Sequence, residues 1–222
     1  MQGWIDIETP HGAVRAWRAD PAGPSKGAVL VIQEIFGVTS HIRDVANRLA
    51  AAGFVALAPA VFDPVEHGID LAYDDAGMQR GRALVAAIGT DRAMDVLNAA
   101  AETLQMEGLR VGAVGFCWGG TLVFLCATRL SLPSVSYYGA RNVQFMEETP
   151  GAALMFHFGG KDSSIPIEAI AQHRLRLPQA DVFVYDDAGH AFNRDVDPHV
   201  YSEDAAKLAW QRTLDFLEAQ LR

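Results

Sequence analysis

The sequence predicts an α/β fold: a mostly parallel central sheet with helices on both faces and an antiparallel hairpin at the amino-terminal end. Two observations carry this. Short, wholly apolar runs such as Ala28-Val29-Leu30-Val31-Ile32 alternate along the chain with amphipathic stretches, and continuous apolar strands belong to sheets covered on both faces. Near the start, by contrast, WIDIET and AVRAW alternate apolar and polar residues around Pro10-His11-Gly12, as two antiparallel strands joined by a tight turn do. No repeat, low-complexity tract or Pro/Ser linker interrupts the 222 residues, so one domain over 1–222 is expected, large enough to bury a core without a metal or disulfide.

The elements follow in order. A strand is expected at Ala28 to Gln33, then a helix at Ser40 to Ala52 stopped by Gly53, where a glycine can take the positive φ that ends a helix. Phe54 to Ala58 is the next strand. Phe62 to about Met78 shows neither period, and a long connection of this kind is often a lid or binding loop. Its carboxyl side, Gln79 to Ile88, is compatible with a helix. The alternation resumes with a helix at Asp91 to Gln105, a strand at Arg110 to Val114 and a helix at Gly120 to Arg129. Strands at Ser134 to Tyr138 and Ala153 to Phe158, a helix at Ile165 to Leu175 and a strand at Asp181 to Tyr185 complete the alternation. In the last helix, Ser202 to Leu221, Trp210, Leu214, Leu217 and Leu221 recur at helical spacing, while Glu203 and Asp204 occupy a first turn whose dipole favours acids.

Composition excludes several functions. With 27 acidic against 18 basic residues the net charge is −9, which argues against general binding to nucleic acid or an anionic membrane. The amino terminus lacks a basic segment followed by an apolar run, and Leu49 to Phe62 is too short and too broken by Gly53 and Pro59 to span a bilayer. A cytoplasmic protein is expected. Two cysteines make no disulfide framework. No dinucleotide fingerprint, phosphate loop, H-E-x-x-H or Cys/His cluster is present, so neither cofactor nor metal is expected.

The chemistry concentrates in Gly115-Phe116-Cys117-Trp118-Gly119, where an apolar strand runs into G-x-C-x-G and then a helical pattern. This is a nucleophile elbow with Cys in place of Ser. Side chains at Gly115 or Gly119 would collide with neighbouring backbone in so tight a turn. The helix that follows points N–H groups at the thiol and favours its anion. Cys126, inside the apolar helix pattern, reads as core.

An elbow needs a base and an orienting acid, which follow the nucleophile in the order acid, then histidine. Of seven histidines, only His190, in Asp187-Ala188-Gly189-His190, has the right order, a strand edge and a flanking glycine; His157 lies within a strand. Asp162 closes ALMFHFGGKD beyond another strand; Asp186 and Asp187 compete with it but stand too close to His190 in sequence to orient its ring from behind. Ile35 and Trp118 would supply the two backbone N–H groups of an oxyanion hole. Glu34, beside Ile35, is either a solvated charge at a strand end or a member of the site.

GFCWGG, QEIFG, GGKD and AGHAFNR stand in the order QEIFG, GFCWGG, GGKD, AGHAFNR over nearly the whole chain. Together they resemble the dienelactone hydrolase family of α/β-hydrolases. The resemblance implies the α/β-hydrolase fold, with Cys117 as nucleophile, His190 as base and Asp162 as its orienter. It implies that Glu34 meets the thiol at rest and helps to form the thiolate when substrate binds. It also implies arginines that hold a dicarboxylate-like substrate: Arg194, four residues after the histidine, matches one, and for the second the sequence offers Arg80 and Arg82.

The expected activity is hydrolysis of an unsaturated, dienelactone-type lactone to an open-chain acid through a thioester acyl-enzyme. A small-ester or thioester carboxylesterase would use the same site without needing Arg194. A non-catalytic binding or redox-sensing protein would keep Cys117 only as a reactive thiol. The partner is a small-molecule lactone or ester, and because the chemistry needs no second chain a monomer is expected.

Overall fold

The computed structural model describes residues 2–222. Its elements are β1 (Gln2–Thr9), β2 (Gly12–Ala19), β3 (Ala28–Ile32), α1 (Ser40–Ala51), β4 (Val55–Pro59), α2 (Asp75–Met106), β5 (Val111–Phe116) and α3 (Trp118–Arg129), followed by β6 (Ser134–Tyr137), β7 (Leu154–Gly159), α4 (Ile167–Arg176), β8 (Asp181–Tyr185) and α5 (Glu203–Leu221). Eight strands make one sheet in the order β1-β2-β4-β3-β5-β6-β7-β8. β1 and β2 are antiparallel to each other and β2 is antiparallel to β4, while β3–β4, β6–β7 and β7–β8 are parallel. This is the α/β-hydrolase architecture. The chain packs as two compact units, Met1–Ala113 with Leu221–Arg222, and Val114–Gln220. Among the described residues no helix is long and apolar enough to cross a membrane.

In the first unit, β3 and β4 are buried at every residue, as their unbroken apolar runs require. α1 turns Ile42, Val45, Ala46 and Leu49 inward and is closed by Gly53 at φ 103°. The largest departure from expectation is α2. It begins at Asp75, capped by the Asp74 carboxylate, which accepts the Gly77 N–H at 2.7 Å. It then absorbs both the expected helix at Asp91 and the compatible stretch at Gln79, with a break only at Gly89 (φ 67°, ψ 170°). The buried residues of its first half are Gly77, Gly81, Leu84 and Ile88. A Cβ on Gly77 would lie 2.0 Å from the Ala72 carbonyl oxygen, and one on Gly81 2.3 Å from that of Ile35. Both positions need glycine to let the helix close on backbone.

The connection before α2 has no strand or helix of its own, yet it is fastened along its length. Buried Asp63 accepts the N–H groups of Arg15 at 2.9 Å and Gly68 at 3.3 Å. Leu71 donates its N–H to the Phe36 carbonyl at 2.9 Å, and the Thr39 and Tyr73 hydroxyls meet at 2.8 Å. Gly37 (φ 90°) forms a bridge with Asp70, and a Cβ there would lie 2.0 Å from the Ile69 carbonyl oxygen.

In the second unit, β6 and β7 are buried throughout. The core is aromatic: Phe116, Phe124, Tyr137, Tyr138, Phe156, Phe158 and Phe192 are all fully buried. Rings of this size supply most of the apolar area that holds such a unit together. β5 runs on to Phe116, past the Val114 expected, and α3 starts at Trp118 instead of Gly120. Strand and helix are thus separated by Cys117 alone. A short 3₁₀ helix, Asn142–Phe145, lies between β6 and β7.

Candidate active site

The Cys117 backbone has φ 54° and ψ −113°, a conformation that only surrounding structure can hold in a residue with a Cβ. Three features of the second unit hold it. The Cys117 N–H donates to the Tyr137 carbonyl at 3.0 Å. A Cβ on Gly115 would lie 2.1 Å from the Gly119 carbonyl oxygen, and one on Gly120 2.5 Å from the Tyr137 carbonyl oxygen. The strand before the elbow and the helix after it therefore approach more closely than side chains allow. The result puts the partly exposed Cys117 at the N-cap of α3, where the first-turn N–H groups and the helix dipole favour negative charge.

His190 Nε2 lies 3.2 Å from Cys117 Sγ, and His190 Nδ1 lies 2.7 Å from Asp162 Oδ2. The other Asp162 oxygen accepts the Ser164 N–H at 2.8 Å. Asp162 is buried, whereas Asp187 is exposed and paired with Lys161 at 2.8 Å, and Asp186 is exposed too. The carboxylate behind the imidazole is thus Asp162, and the two sequence competitors face solvent. Burial by itself would lower the His190 pKa, but the hydrogen bonds to Asp162 and then Cys117 outweigh it and push it up to about 10. The second cysteine behaves oppositely. Cys126 is fully buried and burial alone pushes its thiol up, which keeps it un-ionised and unreactive.

Glu34 is only 1 % exposed, so the solvated-charge reading of it is corrected: the carboxylate is inside the protein. Beside it, buried Gln33 accepts the Val61 N–H at 3.1 Å and donates to the Glu34 carbonyl at 3.3 Å, fixing the chain where β3 ends. Ile35 follows in a turn, under Gly81. Arg80 and Arg82 flank Gly81 on α2 and both are exposed; Arg80 is ion-paired with Glu66 of the fastened connection. Arg194 is buried and paired with Asp197 at 3.0 Å.

The model of the dienelactone hydrolase family matches residues 14–221. The chain belongs to this family. Consistent with that, a Synechocystis protein named "Putative carboxymethylenebutenolidase" is 35% identical, over 98% of this chain and 96% of the relative. A Bradyrhizobium protein named "Probable 2-oxo-3-(5-oxofuran-2-ylidene)propanoate lactonase" is 29% identical, over 98% of this chain and 94% of the relative. Among solved structures, that of a "Putative Dienelactone Hydrolase" from Klebsiella pneumoniae superposes with a TM-score of 0.87 at 30% identity, covering 99% of this chain and 98% of that one. This dienelactone hydrolase family member is accordingly a hydrolase of carboxylic ester bonds.

Some contributors to the site in this dienelactone hydrolase family member escape a reading for reactive groups. Gly159 and Gly160 belong to the GGKD segment, where only the aspartate draws attention. A Cβ on Gly159 would lie 2.5 Å from the Gly189 carbonyl oxygen, and one on Gly160 2.7 Å from the Asp186 Cα. The loops carrying Asp162 and His190 thus rest backbone against backbone, which sets the short distance between the two side chains. The paired glycines were the available signal. The Tyr137 carbonyl, which anchors the Cys117 amide, gives no signal at all, because every residue has a carbonyl.

Proposed function

We propose that this protein hydrolyses an unsaturated, dienelactone-type lactone with Cys117 as nucleophile. The observation that carries this reading is the continuous set of hydrogen-bond distances from Cys117 Sγ to His190 Nε2 and from His190 Nδ1 to Asp162, at an elbow that heads a helix. His190, whose pKa is raised by its hydrogen bonds to Asp162 and Cys117, takes the thiol proton and leaves a thiolate at the helix amino terminus. The resemblance to the family implies that Glu34 helps to form the thiolate when substrate binds. The thiolate attacks the lactone carbonyl, and the oxyanion is held by the Ile35 and Trp118 N–H groups. The tetrahedral adduct collapses by breaking the ring C–O bond. The departing enolate oxygen takes the proton from His190, leaving a thioester. Water, giving its proton to His190 while Asp162 holds the ring, attacks the thioester and releases the open-chain acid and the thiolate. Arg194 and one of Arg80 and Arg82 receive the anionic end of the substrate; the Bradyrhizobium relative is named for an unsaturated lactone that carries a carboxylate.

The test is absorbance-followed hydrolysis of a carboxylated dienelactone by the wild type beside Cys117→Ala. Turnover lost in the variant is expected; a folded wild type without turnover would sink the substrate assignment. One observation favours a second reading, a small-ester or thioester carboxylesterase: Arg194 and Arg80 are each already paired with a carboxylate, Asp197 and Glu66. Arg194→Ala separates the two. It weakens hydrolysis of the anionic lactone far more than that of a neutral aryl ester if the first reading holds, and both alike if the second does.

A further inference from the structure

Beneath the loops that carry Cys117, Asp162 and His190 lies a polar chain that the mechanism above does not use. Tyr137, His157 and Tyr185 stand on the adjacent strands β6, β7 and β8, where Tyr137 is in register with His157 and Tyr185 with Gly159. His157 is fully buried among aromatic rings. Even so, both its nitrogens are engaged: Nδ1 with the Tyr185 hydroxyl at 2.9 Å and Nε2 with Thr213 Oγ1 of α5 at 3.2 Å. Thr213 Oγ1 also meets the Tyr137 hydroxyl at 2.7 Å, and Arg212 Nη1 donates to the Tyr185 oxygen at 3.2 Å.

Arg212 can only donate, so the Tyr185 oxygen accepts from it. The arrangement that uses every donor has the Tyr185 hydroxyl giving its proton to His157 Nδ1 and His157 Nε2–H giving its own to Thr213. The imidazole is a neutral hub with one acceptor and one donor, both used, and burial with the Arg212 charge keeps it neutral.

The three strand residues of this chain also grip the site through their backbones. The Tyr137 carbonyl accepts the Cys117 N–H at 3.0 Å. The His157 carbonyl accepts the Tyr138 N–H at 2.8 Å, and β7 leads from His157 directly to Asp162. The Tyr185 carbonyl accepts the N–H groups of Gly160 at 2.7 Å and Ala188 at 3.0 Å, one in each of the loops that bring Asp162 and His190 together.

We infer that His157 and Thr213 are positioning residues: the Tyr185–His157–Thr213–Tyr137 chain locks the carboxyl ends of β6, β7 and β8 against α5, and through Tyr137 and Tyr185 it sets the distances within Cys117, His190 and Asp162. The inference rests on the reading of those three residues as the catalytic set. Polar chains of this kind, fully satisfied, hold one arrangement where an apolar core of the same volume would tolerate several, and slight misplacement of reacting groups is costly in rate.

The test replaces Thr213 by Val, which keeps the shape and removes the hydroxyl, by Ser, which restores it, and His157 by Gln. Aryl-ester hydrolysis gives kcat and KM, and iodoacetamide alkylation of Cys117 against pH gives the thiol midpoint. Circular dichroism and thermal melting report folding. Thr213→Val is expected to lose about tenfold or more in kcat with KM within about twofold and to displace the alkylation midpoint, with Thr213→Ser recovering both. His157→Gln is expected to share these defects and decides the matter if Thr213→Val does not fold. A folded Thr213→Val or His157→Gln with wild-type kcat and alkylation midpoint overturns the inference. If the wild type alkylates at Cys117 but hydrolyses no ester, the functional reading fails by itself, and the alkylation midpoints of the variants still decide this one.

Discussion

Acid should destabilise this protein through His157, and the size of the effect follows from its surroundings. The ring is fully buried, and burial, with a smaller contribution from the Arg212 charge, lowers its pKa from 6.5 to about 3. Unfolding releases the ring to water, where it titrates near 6.5. Because the folded value is the lower one, the unfolded chain takes up a proton that the native state refuses. Stability is untouched above about pH 6.5 and declines as pH falls from there toward 3. Each pH unit in that window removes about 1.4 kcal/mol, so at pH 4.5 the loss is about 2.7 kcal/mol, a sizeable share of the ~5–15 kcal/mol typical of a domain. His173, with Nδ1 on the Ala169 carbonyl at 2.7 Å, is lowered by burial in the same direction and adds to the loss. The assay is equilibrium urea unfolding of the wild type and His157→Gln at pH 7.5, 5.5 and 4.5. All other titrations are shared, so the difference between the two proteins isolates His157. The wild type should lose about 2.7 kcal/mol more than the variant between pH 7.5 and 4.5. Parallel pH profiles would refute the reasoning, because they would mean that the ring takes up its proton in the native state as easily as in the unfolded chain.

Two further outcomes are expected. Asp162→Asn removes the carboxylate whose hydrogen bond most raises the His190 pKa; kcat should fall about ten-thousandfold, and the His190 titration followed by NMR should move down, with an unmoved midpoint counting against the assignment. Gly120→Ala would bring a Cβ to 2.5 Å from the Tyr137 carbonyl oxygen; thermal or urea unfolding should register roughly 1–3 kcal/mol of destabilisation together with lower kcat, and a neutral substitution would show that the elbow has room to relax.

Much of the sheet was legible in the sequence because a strand buried on both faces has no choice but to be apolar throughout. β3, β4, β6 and β7 are of this kind. The sharp turn at Cys117 between β5 and α3, and the nearness of His190 to it, were legible because glycines and strand ends coincide there. The first half of α2 was legible only in part, as the stretch from Gln79 to Ile88 compatible with a helix, and its start at Asp75 was not; the reason is physical. Its inward face is Gly77 and Gly81 before it becomes Leu84 and Ile88, and a glycine that packs on backbone contributes nothing to hydrophobic periodicity and counts as a helix breaker. Arg80 and Arg82 lie in that stretch, and with glycine as its buried face no apolar stripe showed which way either points. Glu34 was ambiguous because sequence records a charge but not its burial. The His157 chain was hidden in the strand pattern, where a histidine flanked by Phe156 and Phe158 reads as one polar interruption of a core strand.

The fastened connection between β4 and α2 changes what can be exchanged in this protein. Loops beside an active site are the usual currency of altered specificity, because they ordinarily vary without disturbing the scaffold. Here the Ile69 carbonyl occupies the space that a side chain at Gly37 would need, and the Ile35 carbonyl the space that one at Gly81 would need. Residues 35–37, 62–74 and 77–81 are thus three pieces of one casting. A graft that imports a foreign 62–74 alone removes the backbone against which Gly37 is seated and frees the turn that begins at Ile35. Redesign, and natural divergence too, has to move the three segments together.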